Sequence, residues 1–386
     1  MRRFGAFLAL FLLVFSAGLF SGCAGKGGNS REEAGPEWES LERESELPLR
    51  YATQFSVARY TGGYQLIDIP SAGRFLTVPE GKAAPSGLPE DIVPLRMPLG
   101  NIYLAATSAM DFFRALESID RVRLSGTNAE GWYIPEAKQA MEEGRMLFAG
   151  KYSAPDYELI YSEKCGLAIE STMIYHTPEV QEQLRKLGVP VLVERSSYEE
   201  HPLGRMEWIK LYGALLGKEA EAEAFFEAEA SEVEAIAKQE GTGKTAAYFY
   251  ITAAGTVNVR KSTDYVAEMI RMAGGEYVFD NLDSGNALST VNMTMEAFYD
   301  GAKDADILIY NSTIDGELQT LEDLLEKSPI LKDFRAVKTG ECWCTGKNLF
   351  QEPTGLGKLI GDMHRILTED LPEDGKLLYL HRLTAK

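Results

Sequence analysis

Between residues 204 and 238 the sequence offers no strand, and that gap constrains the fold more than any motif in it. Met206, Ile209, Tyr212 and Leu215 recur at helical spacing, and Gly217 supplies a natural stop. A second apolar stripe follows at Ala222, Phe226, Ala230, Val233 and Ala237, with a Glu-rich opposite face that reads as solvated surface. On either side the pattern changes. Before the gap, GNIYLAATSAMDFFRALESI, DRVRLSG, PDYELIYSEKCGLAI, PEVQEQLRKLG and VPVLVER alternate strand with helix. After it, AAYFYIT, TDYVAEMIRMAGG, ADILIYN, TLEDLLEKSP, ECWCTG and GLGKLIGDMHRILT do the same. Apolar strands alternating with helices imply mostly parallel sheets covered on both faces. The expectation is an α/β chain of two lobes joined by a long helical bridge.

The N-terminus reads as a targeting segment. Arg2 and Arg3 form a basic start, Phe4 to Phe20 is charge-free and almost wholly apolar, and Ser21-Gly22 precedes Cys23. The FSGC ending resembles a bacterial lipobox, in which the Cys takes the lipid, although Phe20 stands where an aliphatic residue is usual. Cys23 is the expected lipidation site, and an uncleaved membrane helix over the same run is the alternative. Either places the remainder outside the cytoplasm and tethered to the membrane, because Arg2 and Arg3 stay inside. Ala24 to Leu47 is rich in Gly, Ser, Glu and Arg with one aromatic, Trp38, and is expected to be a flexible tether. YATQFSVARY and GYQLIDI then alternate as antiparallel strands around Gly62-Gly63. The expected organisation is a signal over 1–23, a tether over 24–47, a first lobe over 48–203, the bridge over 204–238 and a second lobe over 239–386. The roughly 340 residues after the tether suit two cores better than one.

Charge and chemistry exclude several functions. A formal net charge of −19 argues against nucleic acid as partner. Cys165, Cys342 and Cys344 make no disulfide framework and no metal site, and read as buried thiols. EGTGKT at 240–245 has the tail of a P-loop, but Lys238 occupies the position of the first Gly, and the segment follows a helix instead of a strand. The chain has no G-x-S-x-G elbow, no H-E-x-x-H pair and only four His. A membrane-anchored hydrolase is the competing class, and an adhesive lipoprotein with a degenerate cleft is a third.

Two segments carry the positive argument. PDYELIYSEKCGLAI and NMTMEAFYDGAKDADILIY each place a Glu, Glu158 and Glu296, at the start of a short helix that leads into a buried strand. The second copy reads as about two residues longer between Glu and strand. Either Glu alone suits a helix N-terminus, but matched positions in two dissimilar lobes form a pair. From about residue 48 onward, and most clearly over 100–310, the chain resembles the helical-backbone class of ABC-transporter substrate-binding proteins, the ferric-siderophore and cobalamin binding family. That resemblance implies two Rossmann-like lobes of the class III periplasmic-binding fold. It also implies that Glu158 and Glu296 salt-bridge to the two permease subunits of an importer with its ATPase. The protein would be a monomer and no enzyme, with 204–238 as its rigid backbone.

In that family the ligand lies between the lobes on loops at strand ends. The resemblance nominates Trp132, Tyr133, Tyr152, Tyr175, His176, Arg205, Arg260 and Lys261, with Thr107, Ser108, Lys151, Arg195, His201, Asn348, Phe350 and Gln351 as further candidates on the same and other loops. Aromatics with a few cations suit a flat or chelated anionic organic ligand. A ferric siderophore is the first expectation, with a corrinoid or haem as the alternative. Tyr175-His176 could supply an axial haem ligand. Arg205 could instead pair with Glu199 or Glu200. No resident cofactor or metal is expected.

Overall fold

The computed structural model describes residues 35–282, 289–372, 375 and 377–385. Cys23 and the signal segment lie outside the described residues. The expected tether ends sooner than its composition suggested. Glu37 bridges to Ser86, and β1 (Arg43–Glu46) pairs antiparallel with β2 (Ser56–Tyr60). All four residues of β1 are exposed, because a charged strand suits the outer edge of a sheet. Beyond β2 lie β3 (Tyr64–Ile69), β4 (Gly73–Val78) and β5 (Ile92–Arg96), in the order β1-β2-β3-β4-β5. The β2–β3 hairpin turns at Gly62 and Gly63, both at φ 81°. Residues 43–96, expected to belong mainly to the first lobe, therefore form a sheet of their own. Tyr64, Leu66, Leu76, Val78 and Ile92 make a small core on one of its faces. Phe55, Val57, Ile67, Ile69 and Phe75 join the main core of the molecule.

The first lobe is a parallel sheet in the order β12-β11-β6-β7-β8. Its strands are β6 (Ile102–Leu104), β7 (Val122–Ser125), β8 (Leu147–Phe148), β11 (Ala168–Ser171) and β12 (Val191–Glu194). β9 (Gly150–Lys151) and β10 (Ala154–Pro155) form a separate two-stranded ribbon. The lobe's helices are α1 (Met110–Ala115), α2 (Pro135–Glu142), α3 (Tyr157–Ser162) and α4 (Pro178–Lys186). α2 and α4 both start with Pro at the first turn, where its missing N–H is not needed.

The bridge is three helices, α5 (Pro202–Glu207), α6 (Ile209–Leu216) and α7 (Glu219–Ala237). Its expected apolar faces are buried as read, with the exception of Ala237, which is exposed at the helix end. Gly217 ends α6 in the left-handed conformation, φ 67°.

The second lobe has the strand order β16-β14-β13-β17-β18-β19 among the described residues, with β15 also pairing β13. These strands are β13 (Thr245–Ile251), β14 (Val257–Arg260), β15 (Glu276–Tyr277), β16 (Thr290–Met293), β17 (Ile307–Tyr310), β18 (Cys342–Thr345) and β19 (Leu380–Arg382). β13, β17 and β18 run parallel, while β14, β16 and β19 are antiparallel margins. α8 (Tyr265–Met272), α9 (Met295–Ala302) and the closing helix Leu356–Thr368 flank the sheet. Cys165, Cys342 and Cys344 are free and buried as expected, and burial pushes their thiols up to about 11, 12 and 12.

Candidate functional site

Ligands of open α/β sheets sit beyond the carboxyl ends of parallel strands. Here the loops after β6, β7, β11 and β12 and those after β13, β17 and β18 supply those ends, and contacts between lobes locate the seam. Gln351, fully buried after β18, donates through Nε2 to the Gly131 carbonyl at 2.7 Å and accepts from the Tyr133 amide at 2.8 Å. Asp111, inaccessible on α1, accepts from the Thr354 amide at 2.8 Å and its hydroxyl at 2.6 Å. Arg114 donates to the other Asp111 oxygen at 2.8 Å. Burial pushes the Asp111 carboxyl up, while Arg114 and Thr354 oppose that shift.

Beside these locks, Tyr133 of the first lobe meets Phe350 of the second edge-on, with ring centroids 5.9 Å apart. A cavity of about 460 Å³ opens next to Tyr133, lined also by Glu317, Lys347, Asn348 and His381. Elsewhere on the seam, the Arg205 guanidinium of α5 lies 3.9 Å from the ring centroid of Tyr265 at the start of α8. Arg260 approaches the same ring at 5.7 Å and Tyr248 at 5.9 Å, and pairs with Asp264 at 3.6 Å. Two cations share one aromatic ring. The anticipated pairing of Arg205 with Glu199 or Glu200 does not form among the described residues, and its Nε is buried without a partner.

The nominated residues divide. Tyr133, Tyr175 and His176 are exposed on their loops, while Arg205 and Arg260 converge on Tyr265. Tyr152 is half-buried in the turn between β9 and β10. Two nominated side chains are buried instead of lining an open loop. Trp132 is buried in the core, 4 % exposed, with its indole N–H donating to Ser125 Oγ at 3.3 Å. The Asn128-capped turn that precedes it directs the ring inward and leaves Tyr133 outside. Lys261 is also buried, at 4 %, and its backbone carbonyl accepts from the Asp264 amide. Sequence reasoning missed Tyr265. The signal was its place just after Asp264, an N-cap residue four positions beyond Arg260.

Exposed large apolar side chains gather on this side of the fold. Of the ten found among the described residues, seven sit at the ends of strands or on the loops that follow: Tyr133, Phe148, Met173, Tyr175, Tyr198, Ile314 and Phe350. They come from both lobes.

The two glutamates occupy matching positions. Asp156 caps α3 by accepting from the Leu159 amide at 3.0 Å, and Thr294 caps α9 by accepting from the Ala297 amide at 3.2 Å. Glu158 and Glu296 each follow the cap by two residues and are exposed. Neither makes an ion pair among the described residues. The strands they lead to begin at Ala168 and Ile307, so the second copy is longer by one residue and not by two. The Glu296 carboxyl is held below its ordinary range by its own amide and the Thr294 hydroxyl.

Comparison with known proteins agrees with this architecture. The periplasmic binding protein family matches residues 132–348. An uncharacterised lipoprotein of Methanocaldococcus jannaschii is 25 % identical over 369 residues, 90 % of this chain and 92 % of that one. Another from the same organism is 28 % identical over 57 % of this chain, which spans only 52 % of that relative. Among solved structures, the periplasmic haem binding protein HutB of Vibrio cholerae has a TM-score of 0.56 at 16 % identity, covering 70 % of this chain and 98 % of its own. The catecholate-siderophore binding protein VctP of the same species has a TM-score of 0.53 at 14 % identity, covering 68 % of this chain and 92 % of its own. At such identities the likeness concerns the fold. With a family match over more than half its length and two lobes on a helical backbone, the chain belongs to the periplasmic binding proteins, a family of substrate-binding proteins.

Proposed function

We propose that this protein captures a ferric-siderophore-type iron complex between its lobes and delivers it to an ABC permease. The observation that carries this reading is the gathering of exposed aromatic and apolar side chains from both lobes at strand ends, on a seam that elsewhere holds the Arg205–Tyr265–Arg260 stack. Rings supply contact area to a chelate, and guanidinium groups orient its negative charge. The solved structures similar in fold include proteins whose names give haem, catecholate and hydroxamate ligands, which supports a metallo-organic ligand without choosing one. Haem is the second reading, favoured by the exposed Tyr175-His176 pair after β11; a corrinoid remains within the same class. Glu158 and Glu296 serve in this reading as contacts for the two permease subunits, with Cys23 carrying the lipid anchor. Fluorescence quenching by a panel of ferric catecholates, ferric hydroxamates, cobalamin and haem tests the proposal. Saturable quenching by a ferric chelate is expected, and no saturable response to any member of the panel would sink it.

A further inference from the structure

The N-terminal sheet lies outside the family match of residues 132–348, and nothing so far gives it a role. Its attachment is unusual. Five consecutive backbone amides, of residues 50 to 54, all donate to two carboxylates of the bridge region. Glu207 on α5, fully inaccessible, accepts from the amides of Arg50, Tyr51 and Ala52 at 2.8–3.0 Å. Glu199, 3 % exposed, accepts from the amides of Thr53 and Gln54 at 2.9–3.0 Å and from the Trp208 indole at 2.9 Å. Lys210, also buried, neutralises Glu207 at 3.0 Å. A carboxylate can be held in the interior only with such a full set of donors.

Packing tightens the same joint. Gly204 of α5 lies so close that a Cβ there would meet the Tyr51 carbonyl oxygen at 3.0 Å. Tyr51 stacks on His201 at 4.5 Å, and Phe55 meets Trp208 edge-on at 5.0 Å. Farther along the bridge, Arg50 pairs with Glu227 at 2.8 Å and with Glu234, and Gln65 donates to Glu219 at 2.6 Å. The sheet thus grips α5 and α7 together.

On α5, Glu207 and Arg205 are two residues apart, and side chains so spaced point to opposite sides of a helix. One side holds the 50–54 segment, and the other presents Arg205 to Tyr265 of the second lobe. We infer that the N-terminal sheet is a splint for the interlobe bridge: by clamping α5 through Glu199 and Glu207 it fixes where Arg205 stands at the seam. Glu199 and Glu207 are positioning residues in this scheme. The splint goes beyond the ligand reading and is tested without any ligand.

Hydrogen–deuterium exchange of the full chain tests it, comparing the wild type with Glu207→Gln and, separately, Gly204→Ala. The first substitution weakens the clamp chemically, and the second wedges the same contact apart sterically. Exchange over 50–54 and over 202–207 is expected to rise together, by about tenfold or more, while β11 and β17 keep their protection. Acceleration confined to 50–54 would show that α5 stands without the sheet and would overturn the inference. An even rise through β11 and β17 would overturn it too, by reducing the clamp to general stability. If Glu207→Gln does not fold, Gly204→Ala decides between the same outcomes.

Discussion

Glu158 and Glu296 stand at the same helical position in two lobes of different sequence, each two residues beyond a capping side chain and each exposed, without an ion pair among the described residues. The helices they start lead into β11 and β17, strands with parallel neighbours on both sides within their sheets. The helix start therefore lies toward the edge where those strands end, the edge that carries the candidate ligand loops. In the proposed docking role, two like charges on separate lobes act as a pair of anchors whose use is register more than affinity, since an exposed ion pair contributes about 0–1 kcal/mol.

The paired substitution Glu158→Ala with Glu296→Ala is accordingly expected to leave stability nearly unchanged, because both side chains are exposed. Ligand affinity should be retained while uptake into cells falls sharply. Uptake of a labelled ferric chelate and fluorescence titration of the purified double variant check the two halves. Unchanged uptake would return both residues to the role of ordinary helix starters.

A buried acid sets a pH dependence. Glu170 on β11 is inaccessible, neither of its oxygens has a partner among the described residues, and burial pushes its carboxyl up to about 8 from 4.5. The folded protein therefore keeps a proton that the unfolded chain releases between about 4.5 and 8. Stability falls as pH rises through that window and levels off above it. Glu170→Gln should remove that slope and be relatively most stabilising above about pH 8. Thermal unfolding midpoints of both proteins from pH 5 to 9 check it; parallel curves would mean that Glu170 has solvent or donors available to it.

Trp132 and Arg205 are both nominated by the sequence, Arg205 with pairing to Glu199 or Glu200 as its alternative, and the structure separates them. Trp132→Ala removes a core ring and should cost about 3–5 kcal/mol of stability. Arg205→Ala removes a guanidinium half-buried against Tyr265. It should leave the unfolding midpoint nearly unchanged and weaken binding of an anionic chelate about tenfold, or ~1.4 kcal/mol. Denaturant unfolding and titration of the two variants side by side separate packing from recognition.

Much of the architecture was legible because it rests on periodicity. Strand and helix alternate on both sides of the bridge, and the faces of α6 and α7 are set by residues that recur at helical spacing. The glutamate pair was legible because a cap and its offset are local. What depends on direction was not. Trp132 and Tyr133 are adjacent and similar, and only the turn capped by Asn128 decides which ring is buried. The sheet over 43–96 was partly hidden because its outer strand, Arg43–Glu46, carries the charges of an edge and resembles linker. Glu199 entered the sequence reading only as a partner for Arg205, and Glu207 did not enter it. The available signal was Glu207 lying between Met206 and Trp208 in a helix that is apolar almost all round.

Asp111 ties the lobes together through Thr354, and that lock can be broken selectively. Its carboxylate is inaccessible and accepts from the Thr354 amide, the Thr354 hydroxyl and Arg114. Asp111→Ala leaves Arg114 without its carboxylate and two Thr354 donors without an acceptor. Breaking a buried pair from one side costs about 3–5 kcal/mol, because the remaining groups stay desolvated. Asp111→Asn keeps the shape and one acceptor oxygen, so it should cost less than the alanine variant. Urea unfolding is expected to shift to a lower midpoint in the order wild type, Asn, Ala. Because the lost contacts join two lobes with separate strand sets, the alanine variant should also broaden toward two transitions when followed by probes in each lobe. A single sharp transition at the wild-type midpoint would show that the closing helix and the bridge hold the lobes together without Asp111.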